Sequence, residues 1–282
     1  MIYLNGQLLP DDQARINPAD RGFLLGDGVF ETMRAYRGHI FQLDAHLDRL
    51  VAGANFLGIP LPLSRDALTR GLYATLRANQ LSQQGASLRL TLTQGPGPRG
   101  LIPPPHPQPT LLITAAPLSR TSFPPAKAII ASTRRNEHSP LAKIKSLNFL
   151  DNVLARREAA AQNVDEALLL NTAGNLAEAS ASNLFIVRDG ILQTPPISDG
   201  ALPGITRTVV LKLAAKLGIP AVETSLAPET LLRAEEAFLT NSIIEIRALV
   251  RVEGQLLGNG DVGEITRGLQ RAYREAVGSG EL

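Results

Sequence analysis

Between Pro117 and Pro125 the periodic spacing of apolar residues stops. The stretch Pro117-Leu118-Ser119-Arg120-Thr121-Ser122-Phe123-Pro124-Pro125 is polar and proline-bearing, and it follows neither the helical nor the strand period. A chain of 282 residues is long for one hydrophobic core. The break therefore predicts two domains, a small one at 1–116 and a larger one at 126–282, joined by a linker at 117–125.

Each side of the break mixes strand and helix patterns. Asn5-Gly6 between Ile2-Tyr3-Leu4 and Gln7-Leu8-Leu9 is a short-hairpin signal. Val29 to Tyr36 and Ile40 to Leu43 read as strands around Arg37-Gly38. Leu47, Leu50, Ala54 and Leu57 recur at the helical period, and Gly58 with Pro60 ends that helix; residues 64–80 form a second, with Ser64 as N-cap. Strands at Ser87 to Thr93 and Pro109 to Ala115 flank a glycine- and proline-rich loop rigid enough to wall a site. Beyond the break come a strand at Lys127 to Ser132 and a helix from Leu147 to Ala161, with Leu147, Leu150 and Leu154 on one face. Strands at 166–171 and 176–187, a helix from Pro203-Gly204 to Leu217, strands at 235–240 and 243–252 and a helix at 262–277 follow. Both halves are thus expected to be α+β.

Several classes of function are excluded early. The chain has no cysteine, which removes disulfides, thiolate metal sites and cysteine nucleophiles. Its four histidines, His39, His46, His106 and His138, lack close metal-ligand spacing, so no metal is expected. A formal charge of +2 with both signs interspersed gives no footprint for nucleic acid. The absence of a signal-like start and of a long apolar run predicts no membrane association and a cytoplasmic protein.

The chemically suggestive stretch is Leu141-Ala142-Lys143-Ile144-Lys145-Ser146-Leu147-Asn148. An ammonium in an apolar segment is costly to desolvate, and a lysine there can become a nucleophile for carbonyls. On a strand, Lys143 and Lys145 would share a face, so periodicity does not choose between them. Gly204-Ile205-Thr206 opens the amphipathic helix that runs to about Leu217.

Other short motifs stand around this lysine: Gly26-Asp27-Gly28-Val29-Phe30-Glu31-Thr32, His46-Leu47-Asp48-Arg49-Leu50, Ile144-Lys145-Ser146-Leu147-Asn148, Asp165-Glu166-Ala167, Glu178 before Ser180-Ala181-Ser182-Asn183, Gly204-Ile205-Thr206-Arg207 and Thr240-Asn241-Ser242. With these, the chain resembles the class IV, or fold type IV, aminotransferases. That group contains branched-chain aminotransferases, D-amino-acid aminotransferases and 4-amino-4-deoxychorismate lyases. The resemblance spans nearly the whole chain. It implies a two-domain α+β fold, with a smaller N-terminal α/β domain and a larger, β-barrel-like C-terminal α/β domain. It also implies pyridoxal 5'-phosphate at the domain interface, an amino donor and a 2-oxo acid acceptor as substrates, and a homodimer with both subunits near each site.

Carried over residue by residue, the resemblance selects Lys145 over Lys143 as the residue bonded to the cofactor's aldehyde and as the proton shuttle. Glu178 becomes the partner of the ring nitrogen. Arg49, Ser182, Asn183, Ile205, Thr206, Thr240, Asn241 and Ser242 become the remaining cofactor-binding residues, with Arg49, Ile205, Thr206, Asn241 and Ser242 on the phosphate. Phe30 and Thr32 are substrate-binding candidates, and Arg34 or Arg99 would take the substrate carboxylate.

The pattern departs from each subgroup. D-amino-acid enzymes have tyrosine where Phe30 stands and histidine where Leu101 stands; branched-chain enzymes have glycine at Thr32 and tyrosine at Val164. Thr32, Pro98-Arg99-Gly100 and Thr240-Asn241-Ser242 resemble the lyases, whereas Lys145-Ser146-Leu147-Asn148-Phe149-Leu150 with Asp151-Asn152 resembles aminotransferases. Transamination of a D- or branched-chain-type amino acid or an amine is the expectation. Release of pyruvate and 4-aminobenzoate from aminodeoxychorismate, as in folate synthesis, is the alternative.

Overall fold

The computed structural model describes residues 1–120 and 122–279. Residue 121 of the expected linker and residues 280–282 of the expected second domain lie outside the described residues. The chain forms two units, Met1–Thr121 with Ile144–Asn148, and Ser122–Lys143 with Phe149–Leu282. This differs from a simple cut at the linker, because residues 144–148 bond back to a strand of the first unit.

The first unit holds β1 (Ile2–Leu4), β2 (Gln7–Leu9), α1 (Arg21–Leu25), β3 (Gly28–Tyr36), β4 (His39–Ile40), α2 (Leu43–Leu57), α3 (Arg65–Ala78), β5 (Ala86–Thr93) and β6 (Thr110–Pro117). Its six-stranded antiparallel sheet has the order β2-β1-β6-β5-β3-β4. Strand alternation explains its two faces. Val29, Met33, Ala35, Leu88, Leu90, Leu92, Leu111 and Ile113 point one way and bury against Leu47, Leu50 and Ala54 of α2 and Leu68, Leu72 and Leu76 of α3. The other face carries the intervening residues of β3 and β5. Helix α3 starts as expected, with the Ser64 hydroxyl accepting from Ala67 N at 3.3 Å.

The second unit holds β7 (Ala126–Arg135), a 3-10 turn (Pro140–Lys143), α4 (Leu150–Ala161), β8 (Glu166–Asn171), β9 (Leu176–Ala179), β10 (Asn183–Arg188), β11 (Ile191–Thr194), a second 3-10 turn (Ile197–Asp199), α5 (Ile205–Lys216), β12 (Ala221–Glu223), α6 (Pro228–Leu232), β13 (Glu236–Asn241), β14 (Glu245–Val252), β15 (Gln255–Leu256) and α7 (Glu264–Ser279). Its nine strands form one mixed sheet, β12-β11-β10-β13-β14-β7-β8-β9, with β15 on β14. The strand expected at 176–187 is two strands, broken at Ser180-Ala181-Ser182.

Helix α4 is the crossover between the parallel strands β7 and β8. Its buried side is Asn152, Ala155 and Ala159, packed on Ile129, Ala131, Ala167 and Leu169. The expected helix from Leu147 with Leu147, Leu150 and Leu154 on one face is corrected: Leu147 precedes the helix, and Leu150 and Leu154 are exposed. Alanines let a helix approach a sheet closely, and that decides which side goes in. No helix among the described residues is long and apolar enough to cross a membrane.

Candidate active site

Lys145 is held against β3. Phe30 N donates to Lys145 O at 3.0 Å and Leu147 N donates to Gly28 O at 2.9 Å, with Val29 and Ser146 bridged between them. This approach depends on Gly28, where a Cβ would lie 2.7 Å from Leu147 Cδ1 and from Leu92 O. Lys145 Nζ lies 4.4 Å from the centre of the Phe30 ring, a cation–π contact that restrains the amine. Lys143 is placed differently from the expectation of a shared strand face. It ends the 3-10 turn begun by Pro140 and is exposed.

Phe30, Thr32, Arg34 and Tyr36 alternate onto one face of β3, and Ser87, Arg89 and Thr91 face the same way from β5, with Thr32 opposite Arg89. Arg34 is buried, its guanidinium 4.6 Å from the Tyr36 ring centre. Arg99 is exposed in the loop between β5 and β6 rather than on this face. That loop is anchored by Arg21, which donates to the carbonyls of Gly100 and Leu101 and pairs with Asp27 at 2.8 Å. Arg89 was missed in the sequence. Its guanidinium lies 3.9 Å from the Phe30 ring centre. The available signal was a charged residue at an alternating position, Leu88-Arg89-Leu90, whose meaning depended on which strand paired with it.

The opposite face of β3 holds Glu31, also given no role from the sequence. It is fully buried, and Arg49 Nε and Nη2 donate to its two oxygens at 2.7 Å each, with His46 Nδ1 2.7 Å from Oε2. Burial pushes the Glu31 carboxyl up, but the charge and hydrogen bonds of Arg49, with those of His46, more than offset this and bring it down to about 2. An ionised carboxylate only accepts, so His46 carries its proton on Nδ1. Burial holds His46 below its ordinary value against the pull of Glu31, and the charges of Arg49 and Lys145 act in the same direction as burial. Glu31 thus fixes the direction of Arg49.

In the second unit, Glu178 on β9 is buried. Leu202 N donates to its Oε2 at 2.9 Å, and Arg135 Nη2 lies 3.5 Å from its Oε1. Asn183 donates to Leu202 O at 2.9 Å and faces Thr240 across β10 and β13. Asn241 donates to Ser182 Oγ at 3.0 Å and Ala181 O at 2.9 Å, while its own oxygen accepts from Ile243 N and Ile244 N. The strand break is braced from behind. Ser180 donates its hydroxyl to buried Glu166, Asn152 donates to Ser180 O at 2.8 Å, and burial pushes the Glu166 carboxyl up.

These groups suit an aromatic phosphate bearing a ring nitrogen. Helix α5 begins at Gly204, whose lack of a side chain leaves its first turn with no side-chain cap; a Cβ there would lie 1.9 Å from Asn183 Oδ1. Ile205 and Thr206 occupy that first turn, the position suited to an anion. The buried Thr240 hydroxyl has no hydrogen-bond partner among the described residues, an arrangement that is costly unless something else meets it. The structure therefore draws Glu178, Ser182, Asn183, Ile205, Thr206, Thr240, Asn241 and Ser242 together in the second unit. In the first it places Lys145, Phe30, Thr32 and Arg34 on one side of β3, and Arg49 on the other.

Comparison with known proteins shows the family. The family model described as Amino-transferase class IV matches residues 28–252. A putative branched-chain-amino-acid aminotransferase of Methanocaldococcus jannaschii is 40% identical over 281 residues, 97% of this chain and 95% of the relative. The aminodeoxychorismate lyase of Bacillus subtilis is 33% identical, covering 98% of this chain and 94% of its own. Among solved structures, the branched-chain aminotransferase of the archaeon Thermoproteus uzoniensis, with norvaline, superposes with a TM-score of 0.92 at 32% identity, covering 99% and 95% of the two chains. Another solved branched-chain amino acid aminotransferase, with a TM-score of 0.93 at 29% identity and coverage of 99% and 94%, is complexed with N-(5'-phosphopyridoxyl)-L-glutamate.

Proposed function

The chain belongs to the class IV aminotransferases, enzymes that use pyridoxal 5'-phosphate, and on that premise we propose that it moves the amino group of a branched-chain-type aliphatic L-amino acid to a 2-oxo acid. The observation carrying this reading is the clamped backbone of Lys145, with its Nζ over the Phe30 ring. When bound, the cofactor supplies an aldehyde that takes up the amino group and a ring that withdraws electrons from the substrate carbon.

In this reading Lys145 Nζ would be the amine that holds the cofactor through its aldehyde. The same Nζ, when free, would accept the proton from the donor's α-carbon and deliver it again. The Glu178 carboxylate would partner the ring nitrogen and keep its proton in place. In the second unit the Ile205 and Thr206 N–H groups, with Asn241 and Ser242, would hold the phosphate, and Ser182, Asn183 and Thr240 would line its site; in the first unit Arg49 is the candidate phosphate cation. Phe30 gives an apolar surface for an aliphatic side chain. Arg34 and Arg89, on the same strand face, offer guanidinium groups to substrate carboxylates, Arg89 suiting a second carboxylate on the acceptor. A homodimer is part of this reading. Phe23, Leu24 and Leu25 of α1 and Leu101 and Ile102 of the 94–109 loop are exposed, an apolar surface suited to a second copy.

Product formation should be compared with L-leucine and D-alanine as donors to 2-oxoglutarate. We expect turnover with L-leucine exceeding that with D-alanine by at least about tenfold in kcat/KM. Comparable or faster turnover of D-alanine would overturn the substrate assignment. A lyase reading is supported by Thr32, which faces Arg89 on the Lys145 side of β3 where it could assist proton transfer, and by the 33% identical lyase. Pyruvate release from aminodeoxychorismate without amino transfer from either amino acid would favour it.

A further inference from the structure

Arg135, the last residue of β7, has no role in the reaction described so far. Its side chain is 15% exposed, and it sits behind Glu178. Nε donates to Gly200 O at 3.2 Å, Nη2 donates to Ala142 O at 3.3 Å, and Nη2 lies 3.5 Å from Glu178 Oε1. The other Glu178 oxygen accepts from Leu202 N, and the Leu202 carbonyl accepts from Asn183. Gly200 has a φ of +94, and a Cβ there would lie 3.0 Å from Arg135 Cγ. The 200–202 strap is therefore shaped around the arginine. The strap leads directly into Gly204 and α5, so one guanidinium braces both the carboxylate and the approach to the anion site.

We propose that Arg135 is a positioning residue that acts through Glu178: its guanidinium and the Leu202 N–H hold the two carboxylate oxygens, keeping Glu178 ionised and aimed at the cofactor's ring nitrogen. A neighbouring positive charge favours the ionised form of a carboxylate, and contacts on both oxygens remove its rotational freedom. The inference rests on the reading of Glu178 as the ring-nitrogen partner.

The test is a double-mutant cycle on the cofactor-loaded enzyme with Arg135→Met, Glu178→Gln and the pair, supplemented by Arg135→Lys. Three quantities are read: kcat and KM for the amino donor, the visible absorption of the bound cofactor, and the cofactor's dissociation constant. Arg135→Met is expected to lower kcat by about tenfold or more with KM for the donor changed less than about twofold, and to shift the absorption in the direction of Glu178→Gln. Arg135→Lys, which retains the charge, should recover part of both. In the Glu178→Gln background, adding Arg135→Met should have little further effect on kcat or absorption. Equal losses in both backgrounds, or no loss from Arg135→Met, would overturn the proposal. An unchanged kcat and absorption for Glu178→Gln alone would instead overturn the reading of Glu178. Should Arg135→Met fail to fold, Arg135→Lys and Arg135→Gln carry the same cycle.

Discussion

At the scale of single residues, the most consequential group is one the sequence did not single out. Glu31 is fully buried between Arg49 and His46, so an ion pair and a hydrogen bond replace the water it loses. Both Glu31 and His46 bind protons more weakly in the folded chain than in the unfolded one. The unfolded chain therefore takes up more protons, and stability falls as pH falls. The decline should begin below the ordinary histidine value of 6.5 and steepen between 4.5 and about 2, with Glu31 contributing about 3 kcal/mol in the second window. Urea unfolding from pH 7 to pH 3 checks this. Glu31→Gln should be less stable at pH 7 and show a flatter acid limb; an acid limb identical to that of the parent would refute the assignment. Glu31 has the strand parity of Val29, Met33 and Ala35 and so shares their core face, but its partners were legible only once α2 was seen packed on β3.

At the scale of elements, some helix starts and turns were readable because they depend on local chemistry. Asn5-Gly6, the Ser64 cap and the Gly204 start of α5 all lie where turn and cap preferences predict. The buried face of α4 was not readable, because its leucines outweigh its alanines by hydrophobicity and only the crossover geometry reverses the choice. The break at 180–182 was hidden for a related reason: Ser180 and Ser182 are satisfied by side chains from other elements. Helix α5 carries a prediction at this scale. Its N-cap has a φ of −72, so alanine is tolerated by the backbone, yet its Cβ would collide with Asn183. Gly204→Ala should weaken cofactor binding by about tenfold or more with a smaller effect on the apoprotein's melting temperature. Unchanged cofactor affinity would remove α5 from the anion site.

For the whole molecule, the order of motifs along the chain carried the family, since each depends on local sequence and the chemistry demands all of them. An expectation of two domains was readable from the loss of periodicity near Pro117. The return of Ile144–Asn148 to the first unit was not, because its bonds to Gly28 and Phe30 join segments far apart in sequence. The exposed apolar residues of α1 and the 94–109 loop predict a mass in sedimentation equilibrium of twice 30.2 kDa. A stable species of single-chain mass retaining full activity would contradict the homodimer.

The central claim is that Lys145 Nζ is the bonding and proton-carrying amine of a transaminase. It is tested by mixing cofactor-loaded protein with L-leucine, without acceptor, and following the visible absorption alongside a Lys145→Ala variant. The parent should lose its yellow colour and release one 2-oxo acid per site, while the variant does so slower by about 1,000-fold or more. A variant that converts L-leucine at the parent's rate would contradict the account.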